Sequence, residues 1–460
     1  MKQLYISAAH KSSGKTTVTL GLCAAYAARG LSVSPFKKGP DYIDPMWLSM
    51  ASGLPCHTLD FYTMEREEIL ALYHAEQAGS DLSIVEGNKG LFDGLSVDGS
   101  DSNGAMAKLL DLPVVLVINT NGITRGIAPL LLGYQNFDPE INFVGVILNQ
   151  TGGSRHEKKL QQVVEHYTDM AVLGTIPRHP DLEIVERHLG LVPSNEAHEA
   201  RNKIETIRRV VEEQVDLDRL LELVPDSQEQ DDHSVSEVIG DSSVQSVVTP
   251  PLRVGIARDE AFGFYYSADL DAFRQQGVEL VPFSPLHDSD LPDVDGLFIG
   301  GGFPETHMAQ LEQNRSMRRQ IYDAIENGVP TYAECGGLMY LSRQISWGDD
   351  CREMVGIVDG DSVMHKRPQG RGYARFQRSG ESSDTPAHEF HYSSLENLAE
   401  DTEFAYSIHR GFGVDGRHDG IVYKNLLASY VHQRNSRQNP WVKEFVDRVR
   451  EIKNETKQEK

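Results

Sequence analysis

The chain has 460 residues, 39% of them hydrophobic and 24% charged, with a formal net charge of −24. That length exceeds one ordinary core and predicts two domains. The acid excess excludes a surface-wide partnership with nucleic acid or an anionic membrane, and no apolar run approaches the roughly 20 residues of a membrane helix.

Four widely separated cysteines, Cys23, Cys56, Cys335 and Cys351, form no CxxC pair. This spacing speaks against a disulfide frame or a zinc site and fits a reducing, cytoplasmic setting. The apolar part of Met1–Ser7 is too short for a signal peptide. A homodimer is one assembly the sequence allows.

Strand and helix signals alternate from the N-terminus to about residue 225. The predicted strands are Leu4–Ser7, Ser32–Phe36, Leu82–Glu86, Val114–Asn119, Phe143–Asn149 and Val172–Ile176. Helical patterns lie between them at Thr16–Arg29, Glu65–Ala78 and His156–Tyr167. Short apolar strands separated by helices predict an α/β fold with a parallel sheet covered on both faces.

After the first strand, Ala9-His10-Lys11-Ser12-Ser13-Gly14-Lys15-Thr16 follows the phosphate-loop pattern G-x-x-x-x-G-K-[ST], with Ala9 in place of the first glycine. Backbone amides of such a loop and the positive end of the following helix cradle phosphates. Ser13, Gly14, Lys15, Thr16 and Thr17 are therefore the expected ATP-binding residues. Lys15 would pair with the β/γ-phosphates, and the Thr16 hydroxyl would bind Mg²⁺. Lys11 is out of register with the extra lysine of dimeric P-loop ATPases.

Phe36–Pro45 reads as a rigid polar loop at the carboxyl edge of the sheet, with two lysines, two aspartates and a tyrosine suited to substrate and metal. Asp44 is a metal candidate there. Glu86 ends a buried strand, where ligands bind in open α/β sheets, and is a second metal candidate. Asp93 follows in the next loop and is expected to reach the metal or the substrate.

The stretch 226–251, rich in Ser, Asp and Gln and closed by Pro-Pro, reads as a linker between domains spanning 1–225 and 252–445. A second alternating pattern begins at Leu252–Ala257 and continues with Val278–Phe283, Gly296–Ile299 and Pro330–Ala333. Residues 446–460 are expected to be a helix end and a frayed tail.

In this second half, Cys335 sits between a strand and a helix and precedes Gly336 and Gly337. A sharp turn of that kind lifts a nucleophile out of a sheet, and the helix N-terminus favours its thiolate. Backbone amides at Gly301 and Gly302, just after another strand, are suited to an oxyanion hole. His432, at the end of a late strand, is the expected base, with His388 and His391 as rivals.

The motifs SSGKTT (12–17), KKGPDYIDP (37–45), VEGNKGLFDG (85–94), RHLGLVPSNE (187–196), GGGFPE (300–305), AECGGLMYL (333–341) and HEFHYS (388–393) together make the chain resemble the cobyrinic acid a,c-diamide synthase family of corrinoid biosynthesis. The resemblance implies a dethiobiotin-synthetase-like first domain and a class I-like glutaminase domain. It implies ATP-driven phosphorylation of the a and c acetates of a corrin and displacement of each phosphate by ammonia from glutamine. It assigns Asp41, Tyr42, Ile43, Glu86 and Asp93 to ATP, metal and corrinoid handling, Cys335 to the nucleophile and His432 to its base.

One departure is visible. Ordinary class I glutaminases carry glutamate two residues after the histidine; here Arg434 stands there, so a Cys–His dyad is the expectation. An acyl phosphate is destroyed by water, which leads us to expect a closed path for ammonia between the domains. Cobyric acid synthase, a hydrogenobyrinic acid a,c-diamide synthase and a nickel-sirohydrochlorin diamide synthase are the rival enzymes. A partner-binding P-loop switch ATPase is the rival from another class; the missing signature lysine and the Cys–His domain oppose it.

Overall fold

The computed structural model describes residues 1–182, 184, 186–187, 190–191, 200–226 and 251–458. The chain divides into two compact units, Met1–Val244 and Gln245–Lys460. The expected linker lies outside the described residues apart from Asp226 and Pro251, and so does most of the RHLGLVPSNE motif.

The first unit is a seven-stranded sheet. Its strands are β1 (Lys2–Ala8), β2 (Val33–Lys38), β3 (His57–Leu59), β4 (Leu82–Glu86), β5 (Val114–Asn119), β6 (Phe143–Thr151) and β7 (Val172–Pro177). They are ordered β3-β2-β4-β1-β5-β6-β7, and every pairing is parallel. Every residue of β2 and β4 is buried, as expected where helices cover both faces. The core gathers Tyr5, Phe36, Val85, Leu116 and Leu148 from five of these strands.

The chain steps one way from β1 to β2 and the other way from β4 to β5, so the crevice beside the end of β1 is the natural ligand position. Register sharpens this: Ile6 of β1 and Lys37 of β2 both pair with Glu86 of β4. Three strand ends thus meet at one carboxylate. Helix α1 (Lys15–Ala28) starts from the loop after β1, and helix α2 (Ile43–Ser52) follows β2. The segment 36–45, read from sequence as one loop, is therefore a strand end, a short turn and a first helical turn. Lys37 and Lys38, both buried, extend the strand: Lys37 pairs with Glu86 of β4 and Lys38 with Leu59 of β3.

In the second unit, β8 (Leu252–Ala257), β9 (Val278–Phe283), β10 (Gly296–Ile299), β11 (Thr331–Glu334), β12 (Gly370–Arg378), β13 (Asp384–His391), β14 (Glu403–Arg410), β15 (His418–Tyr423) and β16 (Leu426–Ser429) form one mixed sheet. Its order is β9-β8-β10-β11-β16-β15-β14-β12-β13. The first five strands in this order are parallel; the rest are antiparallel.

The short helix α3 (Gly336–Leu341) leaves the end of β11, and α4 (Trp441–Gln458) closes the unit. Trp441, Val442, Val446 and Val449 are buried with Phe273 and Phe298. That burial carries the helix unbroken past residue 445, where the sequence suggested a domain edge. Among the described residues no helix is long and apolar enough to cross a membrane.

Candidate functional site

In the first unit the phosphate loop is shaped by backbone constraint. Gly14 has φ +84, and a Cβ there would meet Asn149 Nδ2 at 2.1 Å. The Asn149 amide in turn donates to the Ser13 carbonyl at 2.8 Å, tying β6 to the loop. Ser13 is fully buried and its hydroxyl donates to the His10 carbonyl at 2.7 Å. Ala9 has no positive φ, so the missing glycine costs the loop nothing in strain. The close approach is made instead from the other side: a Cβ on Gly90 would meet the Ala9 carbonyl at 2.7 Å.

Lys15 Nζ donates to the Lys89 carbonyl at 2.6 Å. Burial, then Lys37, lowers its pKa to about 8, against the opposing pull of Glu86, Asp44 and Asp93. Thr16 Oγ1 donates to Glu86 Oε1 at 2.7 Å and to Asp44 Oδ2 at 3.3 Å. Thr17 follows, half-buried, in the first turn of α1. The three metal candidates, Thr16, Asp44 and Glu86, are thus within one cluster.

Lys37 completes that cluster. The sequence placed it only among the residues of a loop suited to substrate and metal, with no role of its own. Its ammonium donates to Asp44 Oδ2 at 2.5 Å and to Glu86 Oε1 at 2.8 Å. Glu86 is fully buried and its second oxygen, Oε2, has no hydrogen-bond partner. Burial raises the Glu86 pKa and Lys37 opposes it. For Lys37 burial is outweighed by Asp44, Glu86 and Asp41, and its pKa stands well above the ordinary value. An orphaned buried carboxylate oxygen beside a threonine hydroxyl and a second carboxylate suits a hard divalent cation, which takes oxygen ligands.

Asp41 Oδ1 accepts from the amides of Ile43 and Asp44 at 3.0 and 3.1 Å, so it caps the first turn of α2. Burial, then Asp44, raises its pKa to about 7 despite Lys37. Tyr42 and Ile43 are buried beside it. Asp93 accepts from the Gly90 amide at 2.9 Å, which places it with the loop after β4, close enough to raise the pKa of Lys15.

In the second unit Cys335 joins β11 to α3 with φ 47 and ψ −100, a strained turn for a residue with a Cβ. Its amide donates to the Ser429 carbonyl at 2.7 Å. Glycines allow the crowding around it. A Cβ on Gly337 would meet the Ile299 carbonyl at 2.1 Å, and one on Gly336 the Gly302 nitrogen at 2.9 Å. A Cβ on Gly301 would meet His432 Cε1 at 2.9 Å. The two glycines expected at an oxyanion hole therefore lie against the nucleophile turn and the base.

His432 is buried. Burial alone would lower its pKa, but a hydrogen bond to Cys335 and that group's charge, followed by Glu334, raise it to about 10. His388 stacks on it with ring centres 4.8 Å apart and is held neutral, first by burial and then by His432 and Arg434. His391 stacks instead on Tyr430 at 4.0 Å and faces Glu389 at 3.7 Å. Glu334 was overlooked in the sequence. It lies inside a recognised motif, immediately before the nucleophile, whereas a third member was sought after the histidine.

Residues 6–192 match the CobQ/CobB/MinD/ParA nucleotide binding domain, and residues 253–440 match the CobB/CobQ-like glutamine amidotransferase domain. A cobyrinate a,c-diamide synthase of Magnetococcus marinus is 47% identical over 436 residues, covering 94% of this chain and 93% of that protein. A cobyrinate a,c-diamide synthase of Methanosarcina acetivorans is 41% identical over 458 residues, covering 94% and 92%. One of Listeria innocua is 39% identical over 449 residues, covering 94% and 96%. With a phosphate loop in one unit, a cysteine–histidine pair in the other and this similarity along nearly the whole chain, the chain belongs to the cobyrinate a,c-diamide synthase family.

Proposed function

We propose that the chain uses ATP and glutamine to convert the a and c acetate carboxylates of cobyrinic acid into amides. The observation that carries this reading is the pairing, in one chain, of an Lys15–Thr16–Glu86 phosphate-loop cluster with a buried Cys335–His432 pair. The names of the relatives supply the substrate.

A carboxylate does not lose oxide to ammonia at neutral pH, so it must first be activated. In the first half-reaction a corrin carboxylate oxygen attacks the γ-phosphorus and ADP leaves. Lys15 and the loop amides hold the phosphates and neutralise charge as it shifts. Thr16, Asp44 and Glu86 are the residues that would hold Mg²⁺, whose chemistry there is charge neutralisation on the phosphates. Asp41, Tyr42, Ile43 and Asp93 would orient the carboxylate.

In the second half-reaction the Cys335 thiolate attacks the glutamine carboxamide carbon. Backbone amides at Gly301 and Gly302 receive the oxyanion, and His432 passes a proton to the departing ammonia. Water then releases glutamate from the thioester. Ammonia adds to the acyl phosphate carbon and phosphate leaves, giving the amide. Two amides require two such rounds.

The test is mass spectrometry of tetrapyrroles incubated with enzyme, ATP, Mg²⁺ and ¹⁵N-amide glutamine. Two labelled nitrogens on cobyrinic acid, or on its cobalt-free counterpart, support the reading. More than two would indicate a cobyric acid synthase, and label on sirohydrochlorin alone a nickel-tetrapyrrole enzyme.

A further inference from the structure

A cysteine–histidine glutaminase needs its imidazole held in one orientation and its proton on a defined nitrogen. The position two residues past His432 does not do this here. Arg434 is a buried cation whose guanidinium lies 5.0 Å over the Tyr266 ring, and its charge acts on Asp269.

The described residues of the unit hold five other buried carboxylates, and Asp269, Asp361, Asp419 and Glu389 are engaged elsewhere, Asp361 by Arg343 and Asn397. Asp269 accepts from the Asn435 amide and the Trp441 indole at 3.1 and 3.0 Å. Asp419 accepts from the amides of Gly420, Tyr430 and Val431. Glu389 accepts from those of Phe412 and Gly413 and faces His391.

Glu334 is different. Its Oε1 is anchored twice, by the Tyr332 hydroxyl at 2.6 Å and by the Gln433 amide at 2.9 Å. The Gln433 side chain donates in turn to the Tyr332 hydroxyl at 2.9 Å, which fixes that anchor. The other oxygen, Oε2, lies 3.4 Å from His432 Nδ1. That is longer than the about 2.9 Å of an ordinary N–H···O bond, and such contacts commonly tighten only when substrate is bound. Consecutive strand residues point to opposite faces. The positive φ of Cys335 turns the chain at that point and lets Glu334 and Cys335 address the same ring.

Resting on the glutaminase reading above, we infer that Glu334 is the positioning carboxylate of His432. The site is then a Cys335–His432–Glu334 triad, in which the acid precedes the nucleophile rather than following the histidine. Glu334 holds the proton on Nδ1, leaves Nε2 for the thiol, and stabilises the imidazolium formed when the thiol gives up its proton.

Glu334→Gln is the discriminating change. The glutamine carbonyl can keep both anchoring bonds, but its amide would present a donor to Nδ1 and favour the wrong tautomer. Glutamate release by the full chain is measured across pH, with ammonium-driven amidation as the check on folding. We expect kcat to fall at least about 10²-fold with KM for glutamine changed less than about threefold. We also expect the alkaline limb of the profile to move to lower pH. The groups facing His432 in that titration are Cys335, Glu334 and the stacked His388, with Arg434 acting on His388.

A purely structural role would lower the yield of folded protein and leave the profile of the remainder unmoved. Glu334→Gln turning over at half the wild-type rate or better, with an unshifted limb, overturns the inference. Should that variant not fold, Glu334→Asp decides: it keeps the charge but withdraws it by one methylene, and wild-type turnover from it also overturns the inference. Absence of glutamate release from the wild type refutes the glutaminase reading instead.

Discussion

Thr16 Oγ1 donates to Glu86 Oε1 across 2.7 Å, joining the first turn of α1 to the end of β4. Seventy residues separate the two in sequence, and parallel pairing of β1 with β4 brings them together. The contact places the hydroxyl that follows the phosphate-loop lysine against the carboxylate whose other oxygen is orphaned.

Lys15→Ala and Glu86→Gln are therefore expected to lose amidation from glutamine and from ammonium salts alike. Removing one electrostatic contact to the transferring phosphoryl group typically lowers rate on the order of 10²–10³-fold. Steady-state assays with both nitrogen sources check this. Normal Mg²⁺-dependent turnover by Glu86→Gln would remove that residue from the metal site.

Lys37→Met leaves Glu86 and Asp44 facing each other without their shared cation. Breaking a buried pair by removing one partner destabilises by about 3–5 kcal/mol. Thermal melts should show the loss, and Mg²⁺ should restore more stability to this variant than to the wild type. Equal Mg²⁺ responses would argue against cation binding at this cluster.

Cys335→Ala is expected to abolish glutamine-dependent amidation while ammonium-driven amidation persists, since ammonia bypasses the thioester. Parallel assays of the two nitrogen donors decide it. Normal use of glutamine by the variant would exclude Cys335 as nucleophile.

The raised pKa of His432 makes a statement about stability. Its folded value of about 10 lies above the unfolded value of about 6.5. The stabilisation from Cys335 and Glu334 is therefore fully present below about pH 6.5 and is lost progressively as pH rises toward about 10. Melting temperatures across that window should fall more steeply for the wild type than for His432→Gln. Identical slopes would contradict the coupling. His391→Ala, removing a ring stacked on Tyr430, should leave the hydrolysis step largely intact.

Local patterns in the sequence determined much of this protein. Apolar runs such as Val114–Asn119 can be buried only in a covered sheet, and a Gly-Lys-Thr turn after a first strand can hardly serve anything but phosphate. The nucleophile announced itself by Gly336 and Gly337, because those glycines record how closely the neighbouring strand approaches. The antiparallel half of the second sheet was not legible: its strands, such as Gly370–Arg378, mix charged and small residues and take their order from pairing across long separations. Lys37 and Glu334 were visible only as members of motifs. Their roles depend on which residue lies opposite, Glu86 in register with Lys37 and His432 beside Glu334. Local spacing cannot express a contact between residues about a hundred positions apart; sheet register and one strained turn at Cys335 decide it.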